Sequence, residues 1–261
     1  MLCVPFVFGF EVIERIVYVT MGTQPQPRPT PAIEDYLGAI YTLDRDGEVV
    51  IGRKLAEWLE VSAPTVTETI QRMIRDEWVT MDEDKTIHLT EAGRKAAASV
   101  LRRHMLTELL LAKVLGVPWS KVHEEAHRLE HAFSTETTAR VAKVVNDASV
   151  CPHGNPLPGR EEVTSHLLPL LEAKLGCSYI LARISEEAEQ NPKLMTYLEK
   201  HGLVPGAEVS VIEILPYNET VTVCCNGQQV VLGLAVARKL WVSEGAVGRP
   251  KKRKPTPSGA C

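Results

Sequence analysis

Three histidines and a glutamate stand close together in the sequence, at spacings that place them on one side of an α-helix. Residues 122–131 read VHEEAHRLEH, and at ~100° per residue a helix gathers four of these side chains within a face ~100° wide. The four are His123, His127, Glu130 and His131. Imidazole and carboxylate groups on one face are typical of a divalent-metal site.

The length of this helix divides the four side chains between two sites. His123 and His131 are eight residues apart, or ~12 Å along the axis, whereas ligands of one ion bound at ~2.1 Å lie only ~3 to 4 Å apart. An earlier stretch offers His104 and Glu108 as an i, i+4 pair. Packed antiparallel, that pair could join His123 and leave the other three side chains to a second ion. The alternative is that all six are polar contacts between helices.

The same stretch also matches a zinc peptidase motif. Residues 123–127 read HEEAH, which fits H-E-x-x-H, with Glu124 as the general base. The extended form of that motif needs Gly at position 130 and His at position 133, where this chain has Glu130 and Phe133. A zinc-dependent metallopeptidase using His123, Glu124 and His127 is therefore the weaker alternative.

The elements before this helix predict a winged helix-turn-helix. Apolar residues at helical spacing predict three helices, over residues 32–43, 51–61 and 64–76. Ser62 fits the cap of the third helix and Pro64 its first turn. Two short β-rich runs around the turn at residues 82–85 predict the wing. The third helix is expected to present Thr65, Glu68, Thr69 and Arg72 outward, as a DNA-reading helix does.

The rest of the chain predicts further helices followed by a small barrel. Helices are expected over residues 91–115, 120–133 and 135–148, and short strands over 209–215, 221–225, 230–232 and 239–242. Asn226–Gly227 between two of these strands is a hairpin signal. The Pro/Gly-rich stretch CPHGNPLPGR at residues 151–160 predicts a linker between the two parts.

Charge and cysteine content limit the function classes. The net charge is −4, and without the five cations between residues 249 and 254 it is −9, from 24 basic against 33 acidic residues. Such a body cannot bind nucleic acid by bulk attraction, so DNA binding must depend on the local helix-turn-helix. Six cysteines without a C-x-x-C pair and no apolar run of ~18 residues predict a cytoplasmic protein without a membrane span.

Five motifs together resemble the diphtheria toxin repressor family of iron- and manganese-dependent transcriptional repressors, in its manganese transport regulator branch. They are EDYL at residues 34–37, SAPTV at 62–66, RH at 103–104, VHEEAHRLEH at 122–131 and GNPLPG at 154–159. The resemblance covers about residues 30 to 243.

The resemblance implies a mainly α fold with small β. Its expected parts are an N-terminal winged helix-turn-helix domain (31–95), a helical dimerisation and metal-binding domain (96–150), a Pro/Gly-rich linker (151–174) and a C-terminal SH3-like, FeoA-like β-barrel (175–247). Residues 1–30 are predicted to be an extension that is disordered or not native, and residues 248–261 a disordered basic tail.

The resemblance also implies two metal sites. The primary site would take Asp35, His127, Glu130 and His131, and the ancillary site His104, Glu108, His123, Glu186 and Glu189. Iron-type members typically have Met and Cys where this chain has Asp35 and His127. A shell of oxygen and nitrogen donors suits Mn²⁺ and also accepts Fe²⁺, so both ions stay open, with Mn²⁺ favoured.

The family's DNA-reading positions map onto the third predicted helix. Ser62, Pro64 and Thr65 match positions that contact thymine methyl groups and phosphates, and Glu68 stands where the family often has Gln. Because a carboxylate accepts from the cytosine N4 amine, the operator is expected to differ from the family consensus.

The sequence thus predicts a metal-dependent DNA-binding repressor of metal-homeostasis genes, and no enzyme. A homodimer would bind a palindromic double-stranded operator, with Mn²⁺ or Fe²⁺ as co-repressor at two sites per chain. Besides the peptidase, a third hypothesis is a metal-buffering or adaptor protein whose winged helix contacts another protein. The acidic wing tip at residues 82–84 favours that hypothesis.

Overall fold

The computed structural model describes residues 29–244. The predictions for the segment before residue 29 and for the basic tail lie outside the described residues.

A winged helix-turn-helix forms the N-terminal part, as predicted. Its elements are α1 (Pro31–Arg45), α2 (Gly52–Trp58), α3 (Ala63–Arg75), β1 (Val79–Met81) and β2 (Ile87–Leu89). The side chains of Thr30 and Ser62 accept hydrogen bonds from the first turns of α1 and α3, and each helix has a proline at its start. The strands β1 and β2 are antiparallel, with Thr80 opposite His88. These elements enclose one apolar core.

Three helices form the middle of the molecule: α4 (Glu91–Lys113), α5 (Val122–Glu130) and α6 (Thr135–Val144). Thr90 caps α4 through a hydrogen bond from the Gly93 amide. Helix α5 runs antiparallel to α4, because Val122 packs beside Leu111 while the far end of α5 lies beside His104. Helix α6 packs on the opposite side of α4 through a separate apolar cluster.

The Pro/Gly-rich stretch after α6 is packed, although its composition predicts a linker. Cys151, His153, Asn155 and Leu157 are buried, and the stretch lies against the first long strand of the C-terminal sheet. Gly154 makes this approach possible: its φ is +88°, and a Cβ there would lie 2.0 Å from the Ala182 carbonyl oxygen. The segment therefore joins the helical and C-terminal parts firmly.

The C-terminal part is a six-stranded antiparallel sheet in the order β3-β8-β4-β5-β6-β7 with short helices. Its elements are β3 (Leu168–Pro169), β4 (Ser178–Ile184), α7 (Glu186–Glu189), α8 (Pro192–Lys200), β5 (Glu208–Leu215), β6 (Thr220–Cys225), β7 (Gln228–Gly233), α9 (Leu234–Ala237) and β8 (Leu240–Glu244). The hairpin at Asn226–Gly227 is confirmed, with φ of +52° and +76°. The sheet also contains β3 and β4, which were not among the strands expected from sequence: β4 lies between β8 and β5, and β3 begins the C-terminal part before residue 175.

Between residues 29 and 244, no helix combines the length and the apolar character that crossing a membrane would require.

Candidate metal centre

A first cluster of ligand-type side chains joins α1 to the end of α5. One donor atom from each of its four residues lies within 4.8 Å of the others: Asp35, His127, Glu130 and His131. His131 Nε2 lies 3.3 Å from Asp35 Oδ1 and 3.4 Å from Glu130 Oε1. His127 Nδ1 lies 3.1 Å from the same glutamate oxygen. The structure thus brings together the four residues that the resemblance assigns to the primary site.

The polar atoms of this first cluster suit a divalent cation. Asp35 Oδ1 is buried and makes no hydrogen bond, and burial raises the pKa of Asp35. A buried carboxylate oxygen without a hydrogen-bond partner destabilises a protein unless a cation or donor compensates it. Two carboxylates and two imidazoles supply such a cation with oxygen and nitrogen donors only, a set suited to the harder first-row ions.

A second cluster lies between α4, α5 and α7. Its four members offer donor atoms within 4.8 Å of one another: His104, Glu108, His123 and Glu189. His104 Nε2 lies 3.0 Å from His123 Nδ1 and 3.2 Å from Glu108 Oε1, and His123 Nδ1 lies 2.9 Å from Glu189 Oε2. Glu108 Oε2 is buried without a hydrogen bond. This carboxylate oxygen is therefore available to ligate a cation.

The charges of the second cluster reflect its burial. Burial alone would raise the pKa of Glu108, but His153, His104 and His123 hold that pKa well below its usual value. Burial alone would lower the pKa of His104, but its contacts with Glu108 and Glu130 hold that pKa well above 6.5. In the metal-free chain, protons on the imidazoles therefore balance the carboxylates, and a cation would take their place.

One hydrogen bond connects the two clusters. His104 Nδ1 lies 2.6 Å from Glu130 Oε2, while Glu130 Oε1 faces His127. A cavity of about 330 Å³, lined by members of both clusters, opens beside them. The two clusters are therefore neighbouring parts of one polar centre, separated along α5 as the helix geometry requires.

Two further residues near the second cluster, His153 and Cys151, have only a weak signal in the sequence. His153 is fully buried, its Nδ1 lies 3.3 Å from Glu189 Oε2 and 3.5 Å from Glu108 Oε1, and that nitrogen makes no hydrogen bond. The buried thiol of Cys151 forms a third ligand-type group with Glu108 and His153. The only signal was the C-x-H spacing of residues 151–153, inside a stretch interpreted as a linker.

Glu34 lies beside the first cluster without a signal in the sequence, and Glu186 lies elsewhere than the resemblance implies. Glu34 Oε2 lies 2.7 Å from both His131 Nδ1 and Arg103 Nη2, where it orients the ring of His131. Glu186 forms a buried ion pair with Arg45, with Oε2 at 3.0 Å from Nη2, and does not join the second cluster. The carboxylate of Glu186 points away from the second cluster because it faces the guanidinium group of Arg45.

The predicted DNA-reading residues mostly lie on the exposed side of α3. The exposed members are Ser62, Pro64, Thr65, Glu68 and Arg72. Thr69 differs, because it is only 7% exposed and lies on the inner stripe with Val66 and Met73. In the wing, Asp82 of the acidic tip pairs with His88 at 2.9 Å.

The peptidase alternative finds no support in the structure. Glu124, the residue that would act as general base, is 52% exposed at its side chain and forms an ion pair with Arg128. His123 and His127 belong to different clusters, whereas the peptidase motif requires both at one zinc ion.

Comparisons with known proteins agree along the described chain. Residues 30–87 match a family model described as the N-terminal DNA binding domain of iron dependent repressors. Residues 90–159 match the model of the metal binding and dimerisation domain of iron dependent repressors. Residues 168–244 match the FeoA domain. The chain is 37% identical over 189 residues to the iron-dependent repressor IdeR of Mycobacterium tuberculosis, covering 68% of this chain and 82% of that protein. It is 43% identical over 130 residues to the diphtheria toxin repressor of Corynebacterium diphtheriae, covering 50% of this chain and 58% of that protein.

Solved structures of metal-dependent repressors are also similar to this chain. A manganese-dependent transcriptional repressor in complex with manganese superposes with a TM-score of 0.72 at 31% identity, over 81% of this chain and 99% of that chain. The manganese regulator SloR superposes with a TM-score of 0.70 at 31% identity, over 83% of this chain and 100% of that chain.

Proposed function

This chain belongs to the family of iron- and manganese-dependent transcriptional repressors, which are DNA-binding proteins and not enzymes, and we propose that it represses metal-homeostasis genes in response to Mn²⁺ or Fe²⁺. One observation carries the proposal: the first cluster takes Asp35 from the DNA-binding part and its other ligands from the helical part. A ligand set divided in this way ties the position of the winged helix to the metal.

The proposed primary ligands are Asp35, His127, Glu130 and His131, and the proposed ancillary ligands are His104, Glu108, His123 and Glu189. His153 and Cys151 lie within reach of the ancillary set. Glu186 is left out of the ancillary set because it is paired with Arg45. When bound, a divalent cation supplies the positive charge that lets buried carboxylates and neutral imidazoles share one centre.

The residues of the chain itself then set the DNA-binding geometry. Asp35 fixes the start of α1 against His131 at the end of α5, and Glu34 and Arg103 add a partly buried ion pair beside it. Because α1 packs in the same core as Val66 and Met73 of α3, the position of α1 sets the position of the recognition helix. A coupling of ~5- to 150-fold in DNA affinity is the usual range for such a device.

We favour Mn²⁺ over Fe²⁺ as the co-repressor. Neither cluster assigned above contains a sulfur ligand, and oxygen and nitrogen donors suit Mn²⁺. The solved relatives include manganese-dependent repressors, and the relatives found by sequence include the iron-dependent repressor IdeR. Titration of the metal-free protein with each ion, followed by DNA binding at defined free-ion concentrations, distinguishes the two.

The proposed active form is a cytoplasmic homodimer on a palindromic operator. The segment matched to the dimerisation domain leaves four large apolar side chains exposed: Val114, Leu115, Leu129 and Val144. Two recognition helices about 34 to 36 Å apart would read successive major grooves. A cytoplasmic location follows from the need of a repressor to reach its operator.

Selection of random duplex DNA by the purified protein tests the proposal. The selection is run with Mn²⁺, with Fe²⁺ under anaerobic conditions, with Zn²⁺ and with chelator, and the bound DNA is sequenced. A palindrome enriched only with metal is the expected result. No enrichment under any condition would refute metal-gated repression and favour the metal-buffering or protein-contact hypothesis, to which the acidic wing gives some weight.

A further inference from the structure

The short helix α7 carries two buried carboxylates that face different parts of the molecule. Glu189 Oε2 lies in the second cluster, 2.9 Å from His123 Nδ1. Glu186, one turn earlier, accepts hydrogen bonds from both terminal nitrogens of Arg45, at 3.0 and 3.4 Å. Arg45 is the last residue of α1. One helix of the C-terminal part thus contacts both the second cluster and the end of the first DNA-binding helix.

A second route connects the second cluster to the end of α1 through hydrogen bonds that are buried at Asn155 and partly buried at Asp46. The Asn155 side-chain amide donates to Glu189 Oε1 at 2.5 Å, and its carbonyl oxygen accepts from Arg183 Nε at 2.6 Å. Arg183 Nη2 in turn donates to both carboxylate oxygens of Asp46, at 2.7 and 2.8 Å. Asp46 is the C-cap residue of α1, directly after Arg45.

These side chains have few alternative partners. Arg183 is only 8% exposed, and its guanidinium group lies 4.5 Å from the ring centroid of Trp241. Asn155 is fully buried, and its amide also donates to the Ile184 carbonyl oxygen at 2.7 Å. Because a buried charge that loses its partner is strongly destabilising, a shift of Glu189 would disturb Asn155 and, through Asn155, the pair of Arg183 and Asp46.

We propose that Arg45, Asp46, Asn155, Arg183 and Glu186 form a domain latch that transmits the state of the second cluster to the C-terminal end of α1. The proposal rests on the proposed function, since it assumes that the second cluster binds metal. The first cluster holds α1 at Asp35 and the domain latch holds it at Asp46, so the two clusters control opposite ends of one helix. Arg183 is a positioning residue in this scheme.

Hydrogen exchange followed by mass spectrometry tests the domain latch, with Mn²⁺ alone as the probe. Exchange is measured in two segments: residues 122–131, which contain members of both clusters, and residues 43–50, which span the end of α1. The measurement uses the full chain in the Asp35→Ala background, in which no ligand of the first cluster remains on α1. Any Mn²⁺ response at residues 43–50 then comes from the second cluster.

The informative variants are Asp46→Asn and Arg183→Met, each added to that background. Mn²⁺ is expected to slow exchange at residues 122–131 in all chains, while its effect at residues 43–50 falls at least about fivefold in both variants. Asp44→Asn is the matched control, because Asp44 is also at the end of α1 but pairs with Arg94 at the start of α4 and with no residue of the domain latch. Arg183→Lys, which keeps a charge beside Asp46, is expected to retain more of the response than Arg183→Met.

The possible failures are distinguishable. If Mn²⁺ slows hydrogen exchange at residues 43–50 equally in the background chain and in both variants, the domain latch does not connect the second cluster to α1. If the background chain responds at residues 122–131 but not at residues 43–50, the second cluster is not coupled to α1 and the proposal is overturned. If Mn²⁺ changes neither segment even in the unmodified chain, the proposed function itself fails, and the domain latch with it.

Discussion

His131 is the residue whose removal best tests the first cluster. Its ring contacts Asp35 on α1 of the DNA-binding part and Glu130 on α5 of the helical part, at 3.3 and 3.4 Å. We predict that His131→Ala abolishes the metal-dependent gain in DNA affinity, ~5- to 150-fold, while the protein stays folded and dimeric. Fluorescence anisotropy with the selected duplex, with and without Mn²⁺, measures this gain. His201→Ala is the control, because His201 contacts Tyr197 within the C-terminal part; a full metal response in His131→Ala would rule out the assignment.

The pair of His104 and Glu130 gives the metal-free chain a defined pH dependence. Burial would raise the pKa of Glu130, but His104 and His127 lower it to about 2, while the pKa of His104 lies well above 6.5. A lowered glutamate pKa adds stability that is complete above its unfolded value of 4.5 and is lost toward pH 2. A raised histidine pKa adds stability that is complete below 6.5 and is lost as pH rises through the folded value.

We therefore predict that the Tm in chelator falls as the pH is raised above ~6.5, through this pair. The rise in Tm caused by Mn²⁺ should instead grow over the same range, because imidazoles bind metal only when deprotonated. Thermal unfolding at several pH values, with chelator and with Mn²⁺, measures both trends. A Mn²⁺ effect that shrinks as the pH rises would contradict histidine ligation.

Glu68 is expected to set part of the operator sequence. Its side chain is exposed on α3, and a carboxylate accepts from cytosine N4, whereas a glutamine amide pairs with adenine. We predict that Glu68→Gln changes the selected base at one position of each half-site, with a discrimination of ~1 to 3 kcal/mol. Repeating the DNA selection with the variant measures this. An unchanged consensus would show that Glu68 does not contact a base.

At the scale of elements, two glycines in the packed stretch after α6 allow a controlled comparison. Gly154 and Gly159 both have positive φ, +88° and +81°, but only at Gly154 does a Cβ meet backbone, 2.0 Å from Ala182 O. Alanine at either position carries the left-handed backbone cost of ~1 to 2 kcal/mol. We predict that Gly154→Ala lowers the free energy of unfolding by a further ~1 to 3 kcal/mol. Urea unfolding of both variants measures the difference, and equal losses would contradict the close packing.

Elements with local signals were predictable, and those that depend on distant partners were not. Ser62 and Pro64 marked the start of α3 correctly, because capping is encoded within a few residues. The strand β4 was missed although it is the centre of the sheet. It contains Arg183, which reads as a surface residue in sequence and is buried only because Asp46 and Asn155 pair with it.

At the scale of the whole molecule, the assignment of carboxylates to clusters required tertiary structure. The rise along α5 separates His123 from His131, and the structure keeps them in different clusters as that separation demands. The sequence alone cannot assign different partners to Glu186 and Glu189, because they are the same residue type on one short helix. Only the packing of α7 between Arg45 and His123 gives the two glutamates different partners.

The apolar surface of the helical part predicts where two chains meet. Leu115 and Val144 are 63% and 57% exposed, within the segment that matches a dimerisation domain. Exposed apolar side chains of this size stabilise a complex when a second copy covers them. We predict that Leu115→Lys weakens dimerisation by ~10- to 100-fold, or ~1.4 to 2.8 kcal/mol, and lowers operator affinity with it, because each half-site then binds alone.

Sedimentation equilibrium over a range of protein concentrations measures the dimer dissociation constant. Val231→Lys is the matched control, since Val231 is 56% exposed on the C-terminal sheet, outside that segment. If Val231→Lys dissociates the dimer and Leu115→Lys does not, the two chains meet through the C-terminal sheet. The recognition helices would then lie at a different separation, and the spacing of the half-sites in the selected DNA would have to change accordingly.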